Sequence, residues 1–272
     1  MQWTRREAIL LALAALEARR GAATRLSRIG VQLYTARSAM AEDPVGTIAR
    51  IGAMGFQEVE FAGYFGLDPA RVRRVLDDHD LTAPATHAGL SDLQSRSAQL
   101  IETCVEIGHR YLVLAYLQPA ERQNLDQYRA YADLLNEVGE ACTAAGVQLA
   151  YHNHDFEFVA LDGELPYDLL LDRTDAESLQ FELDLFWIVR AGASAADYFA
   201  RYPERFPLFH VKDMDASGDF TEVGSGEIDF AHFLAQRGAA GAKHFFVEQD
   251  VVDGDLWESL QTSLDYLRNL DF

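Results

Sequence analysis

Eight short apolar runs, each followed by a segment of helical periodicity, predict a single (β/α)8 TIM barrel over residues 28–272. The runs fall at 29–34, 58–61, 81–87, 111–115, 147–152, 180–184, 208–211 and 244–247. Several are apolar nearly throughout, as in Tyr111-Leu112-Val113-Leu114-Ala115, which is what parallel strands covered on both faces require. A doubly wound sheet is the competing architecture. It needs a Gly-rich phosphate loop after the first strand, and Gln32-Leu33-Tyr34-Thr35-Ala36-Arg37 stands there instead.

The intervening segments carry helix signals. Asp43-Pro44 and Asp68-Pro69 each place a capping Asp before a Pro at the first helical position. Residues 71–76, 95–107, 125–145 and 256–270 have apolar side chains at helical spacing, and Gly108 and Gly146 stand where helices should stop. Of the 272 residues, 49% are hydrophobic and 24% charged, the composition of a chain with a substantial core. Lys+Arg total 23 against 43 Asp+Glu, a formal charge of −20 that argues against nucleic acid or an acidic lipid surface as partner. The two cysteines, Cys104 and Cys142, lie in helix-like segments without metal spacing, so neither a disulfide framework nor a thiolate zinc site is expected.

Residues 1–25 are set apart from the barrel. Thr4-Arg5-Arg6, an apolar run from Ala8 to Leu16 and the small residues Gly21-Ala22-Ala23 fit a twin-arginine-type export signal and a periplasmic protein. The run is too short to span a bilayer, and no stable membrane association is expected. Glu17, Arg19 and Arg20 leave the alternative of a packed amphipathic helix in a cytoplasmic protein.

A barrel of this kind holds its active site at the C-terminal ends of its strands. The fifth run ends in His152-Asn153-His154, the sixth in Glu182-Leu183-Asp184, the seventh in His210-Val211-Lys212-Asp213 and the eighth in Glu248-Gln249-Asp250. The second carries Glu58 and Glu60, and the third ends at His87. A polar residue leaving a strand is ordinarily a cap or a turn former. Four consecutive strand ends offering His152, Asp184, His210 and Glu248 at one mouth instead suit a divalent ion. Lacking thiolates, the set is hard enough for Mn²⁺, with Zn²⁺, Co²⁺, Fe²⁺ and Mg²⁺ as alternatives. His154 shares the strand parity of His152 and should face the same mouth, as a donor supporting the metal ligands, as an acid/base or as a cap.

These segments carry a resemblance. Phe181-Glu182-Leu183-Asp184, Phe209-His210-Val211-Lys212-Asp213, Val223-Gly224-Ser225-Gly226-Glu227-Ile228-Asp229-Phe230 and Phe246-Val247-Glu248-Gln249-Asp250 resemble the xylose isomerase-like sugar phosphate isomerase/epimerase superfamily. Tyr151-His152-Asn153-His154-Asp155-Phe156-Glu157-Phe158 resembles one branch of it. The resemblance implies one divalent metal held by Glu, Asp, His and Glu, of which Asp184, His210 and Glu248 match and His152 replaces the first Glu. That replacement weighs against a symmetric epimerisation by two opposed carboxylates. Trp187 stands where many members have a substrate-binding His; it could stack on a sugar or close the barrel top. Glu157 resembles a substrate-hydroxyl contact, its plain alternative being a surface turn. Lys212 could neutralise an enediolate oxygen or merely pair with Asp213. His87 and Glu60 are assigned to substrate, Gly224-Ser225-Gly226 to a structural turn, and His79, His109, His232 and His244 to structural or solvated positions.

The expected activity is metal-dependent isomerisation or epimerisation of a ketose or keto-sugar by proton abstraction next to a carbonyl, with Glu248 as base and His154 or Lys212 handling a second proton. A 3-keto-glycoside lyase or hydratase, or a sugar dehydratase, is the alternative on the same site. An endonuclease-type phosphodiesterase is disfavoured by the charge, and a non-catalytic sugar-binding barrel would need no metal. The expected partner is a small sugar or keto-glycoside, with homo-oligomerisation left open.

Overall fold

The structure, a computed structural model, describes residues 24–272. Eight parallel strands close into a barrel: β1 (Gly30–Gln32), β2 (Glu58–Phe61), β3 (Thr82–Ala88), β4 (Tyr111–Leu114), β5 (Gln148–His152), β6 (Leu179–Asp184), β7 (Leu208–Val211) and, after a small hairpin, β10 (His244–Val247). β10 pairs with both β7 and β1, which closes the ring. The hairpin, β8 (Asp213–Met214) with β9 (Phe220–Thr221), has no counterpart in the sequence expectations. β1 is shorter than its apolar run because Gln32 turns the chain, its side-chain oxygen accepting from the Tyr34 N–H.

The helices follow their signals. Asp43 accepts from Gly46 N and Asp68 from Arg71 N, capping the helices Pro44–Met54 and Pro69–Asp78. The helix Leu90–Ile107 ends at Gly108, whose φ of 91° only glycine adopts without strain. Among the described residues no helix is long and apolar enough to cross a membrane. The export-signal reading of residues 1–25 falls on positions outside the described residues, apart from the last two.

The core has two compartments. One lies between strands and helices; the other fills the barrel interior with Ala85, Tyr111, Val113, Ala150, Leu208 and Phe246. Phe246 fits there because Gly30 faces it across the β1–β10 pair: a Cβ on Gly30 would lie 2.5 Å from the ring. Side chains alternate along each strand, so Leu208, His210 and the following Lys212 share the inward face, as do Glu182 and Asp184. Register places Asp184 beside His210 and His152 beside Glu182. The apolar plug thus gives way, toward the C-terminal ends, to a buried layer of imidazoles and carboxylates.

Candidate metal centre

His152, Asp184, His210 and Glu248 are buried and bring one ligand atom each to within 4.8 Å of the others. His210 Nδ1 lies 2.9 Å from Glu248 Oε2 and 3.7 Å from Asp184 Oδ2, and His152 Nε2 lies 3.3 Å from Asp184 Oδ2. Three of the four donors are aimed by a second contact. The other ring nitrogen of His152 sits 3.0 Å from the Ala115 carbonyl, and that of His210 sits 2.7 Å from Glu60 Oε2. Asp184 gives Oδ1 to the backbone N–H groups of Phe186 and Trp187, capping the helix Leu185–Arg190 and leaving Oδ2 for the centre. Asn153, fully buried, ties the two strand ends by accepting from Asp184 N. His210 Nδ1 and Glu248 Oε2 are both buried and face each other. Two imidazole nitrogens and two carboxylate oxygens, all buried, fit Zn²⁺, Mn²⁺, Fe²⁺ or Co²⁺.

Lys212 reaches the same carboxylates: its Nζ lies 3.0 Å from Asp184 Oδ2, 2.7 Å from Glu248 Oε2 and 3.2 Å from Asp250 Oδ1. Burial pulls its pKa down, but Asp184, Glu248 and Asp250 outweigh that and raise it above the ordinary lysine value. Burial likewise pushes Glu248 up, and Lys212 and His210 override it, holding the carboxyl well below its usual range. Asp213, the expected alternative partner of Lys212, is not its partner. Successive strand residues face opposite sides, and Asp213 instead accepts from the N–H groups of Met214, Gly224, Gly226 and Ile228. Gly224-Ser225-Gly226 is therefore a turn folded onto a carboxylate.

Beneath the centre lies a second set. Glu60, His87, Glu182 and His210 also bring ligand atoms within 4.8 Å of one another. Burial and the neighbouring Glu182 push Glu60 up to about 7. Gln32 Nε2 donates to Glu60 Oε2 at 2.7 Å. Neither Glu182 nor Gln32 was expected in the site. Strand parity was the available signal for Glu182, two residues before Asp184.

Above the centre opens a cavity of about 820 Å³. His152, Lys212 and Glu248 reach it, as do His87, His154 and Trp187, and Tyr34, Tyr116 and Phe156 supply aromatic wall. The His154 ring stacks on Phe156 at 5.2 Å and lies 5.3 Å from Trp187. Burial, His152 and Lys212 hold His154 far below the usual histidine value, hence neutral. Glu60 and Glu157 are not among the lining residues. Glu157 is buried rather than on a surface turn, accepting from Tyr151 OH at 2.6 Å and from His154 N at 2.8 Å. His109 is a satisfied buried histidine between the Ala83 carbonyl and Tyr64 OH, and His244 pairs with Glu58 at the opposite end of the barrel.

A family model, the xylose isomerase-like TIM barrel, matches residues 48–270. A curated relative, an inosose dehydratase from Clostridium perfringens, is 27% identical over 125 residues, covering 39% of this chain and 41% of the relative. The chain thus matches about two fifths of that relative's length. The barrel superposes on a sugar phosphate isomerase/epimerase from Parabacteroides distasonis with a TM-score of 0.77 at 22% identity, covering 89% of this chain and 98% of the other. It superposes on the IolI protein with a bound zinc atom at a TM-score of 0.72 and 14% identity, covering 88% and 95%. The chain belongs to the xylose isomerase-like TIM barrel family.

Proposed function

We propose that this member of the xylose isomerase-like TIM barrel family is a divalent-metal-dependent enzyme that removes a proton next to the carbonyl of a sugar or keto-sugar, leading to isomerisation or epimerisation. One observation carries the proposal: His152, Asp184, His210 and Glu248 form a buried nitrogen-and-oxygen donor set directly under a sugar-sized cavity. A bound divalent cation, Mn²⁺ first among the candidates, would supply the Lewis acidity that stabilises charge on a carbonyl oxygen. The relative with a zinc atom supports metal in this fold.

The chain's own groups do the rest. Glu248 is held ionised, and its Oε2 is buried against Lys212 and His210, so its other oxygen serves as base toward the cavity. Lys212 remains an ammonium and acts through charge, steadying Asp184 and Glu248 and any oxyanion above them. His154, neutral and fixed by Phe156 and by Glu157 on its backbone, exchanges the second proton. Trp187 and His87 contact the sugar directly, while Glu60 acts on it through His87 and His210.

A second reading, elimination from a keto-sugar, is favoured by His152. With histidine in place of the first carboxylate, Glu248 is the one carboxylate of the four donors that lines the cavity, and elimination needs one base and one acid. The relative named inosose dehydratase supports the same side. Incubating metal-loaded protein in D₂O with ketoses and 3-keto-glycosides tests both. Deuterium exchange with isomer or epimer formed supports the first reading, and loss of water or aglycone the second. Neither exchange nor loss of water or aglycone on any of these substrates by fully loaded protein overturns both.

A further inference from the structure

The lower set has a geometry of its own. His87 Nε2, Glu182 Oε2, His210 Nε2 and Glu60 Oε2 form a closed ring of alternating nitrogen and oxygen, with successive separations of 2.7, 3.3, 2.7 and 3.4 Å. A tetrahedral ion with ligands at about 2.0–2.1 Å has ligand–ligand edges of roughly 3.3 Å. Two edges already have that length, and the other two need open by only about 0.6 Å. Among the described residues Glu60 Oε1 and Glu182 Oε1 find no hydrogen-bond partner, so both buried carboxylates have spare acceptor capacity where solvent is excluded. Among the described residues no lysine or arginine pairs with either one; their only cationic neighbours are the two imidazoles. His87 reaches both the ring and the cavity, which gives an ion a way in. Gln32 Nε2 donates to the same Glu60 oxygen at 2.7 Å and holds it in place.

We propose that this ring is a second divalent-cation site, taking a tetrahedral zinc-type ion beneath the first and sharing His210 with it. His210 presents Nδ1 to the upper carboxylates and Nε2 to the lower ones, so one ring faces both positions. With only the upper position filled, the Nε2–H remains donated to Glu60. Holding a second ion would require that proton to leave to solvent, so that His210 could offer a nitrogen to each position. The site goes beyond the proposed activity and stands whichever reaction the cavity performs.

The full chain, stripped with chelator and dialysed against excess Zn²⁺, is freed of unbound metal and measured by elemental analysis. Wild type should hold two ions per chain, while Glu182→Gln and Asp184→Asn should each hold one. Cobalt titration of wild type should show two successive rises in the visible bands of tetrahedral Co²⁺. If Glu182→Gln fails to fold by circular dichroism, His87→Gln replaces it, with the same expectation of one ion. Wild type saturating at one ion that survives Glu182→Gln and is lost in Asp184→Asn overturns the second site alone. No bound metal in wild type overturns the upper centre as well.

Discussion

The two ends of the barrel contain the same pairing of histidine with glutamate and use it differently. At the N-terminal end His244 Nδ1 lies 2.8 Å from Glu58 Oε2, and Arg28 adds a guanidinium 3.5 Å from the other oxygen. That group is complete: one carboxylate, one imidazole, one exposed cation. At the C-terminal end Glu60, Glu182, Asp184, Glu248 and Asp250 crowd around three imidazoles and one lysine, and among the described residues Glu60 Oε1 and Glu182 Oε1 have no partner. The apolar plug around Tyr111, Val113 and Phe246 lies between them. A structural ion pair consumes its own donors and acceptors, whereas a site for chemistry keeps some in reserve.

The largest expected effect is at Asp184. Asn at this position keeps the oxygen that caps Phe186 and Trp187 but turns the other into a donor facing Lys212 and His152. Asp184→Asn should fold, lose the upper ion and lose turnover by about 10³-fold or more, the several kcal/mol a Lewis acid supplies. A variant that is fully metal-loaded and active would break the contrast between the two ends. Glu248→Gln should cut less deeply. It keeps one ligating oxygen and removes the basicity, so metal binding should weaken only partly while substrate–solvent proton exchange falls about 10²-fold. Metal-loaded Glu248→Gln with wild-type exchange would transfer the base to His154.

The contrast was partly legible in the sequence. Strand runs, capping Asp-Pro pairs and helical spacing are local signals, and they located the strands and the helices so marked to within a residue or two at most ends, but not Pro166–Arg173, Leu185–Arg190, Ala195–Arg201 or Phe230–Ala235. His152, Asp184, His210 and Glu248 were visible because each ends a strand and the barrel brings strand ends together. The lower layer was harder to see. Glu60 and Glu182 meet only through closure of the ring, β2 and β6 being far apart in sequence, and nothing local marks Gln32 as the brace of Glu60. Lys212 was read beside its sequence neighbour Asp213, although adjacent strand residues point apart; its partners come from β6 and the segment after β10. Glu157 sits in a polar-looking turn, and its burial depends on Tyr151, whose hydroxyl only the fold brings to it.

An intermediate effect is expected at Asp213, which stands at the mouth but is satisfied like the foot of the barrel. Its two oxygens accept four backbone N–H groups and organise the loop through Gly224 and Gly226, where a Cβ at Gly226 would lie 2.4 Å from the Asp213 carboxylate. Asp213→Ala strands buried donors and should cost about 2–3 kcal/mol in thermal or denaturant unfolding, with metal stoichiometry unchanged. Loss of the ion in a folded Asp213→Ala would show that the loop, and not only the strand ends, holds the centre.

The smallest effect is expected at the foot. Glu58 is nearly fully buried but has only His244 and Arg28 to serve. Glu58→Gln keeps the side chain's shape, so it continues to fill the space beside Gly30, and its amide oxygen can still accept from His244 Nδ1. What is lost is charge, opposite an imidazole and a largely exposed guanidinium, an interaction worth about 1 kcal/mol. In a chain of this size that corresponds to a fall in melting temperature of about 2–4 °C. The plug transmits no charge and needs no rearrangement, so proton exchange and metal content should match wild type. Matched assays of Glu58→Gln and Glu248→Gln therefore compare the same substitution at the two ends of one barrel. If Glu58→Gln also slowed exchange tenfold, the two ends would be coupled through the interior, and the foot would have to be counted as part of the site.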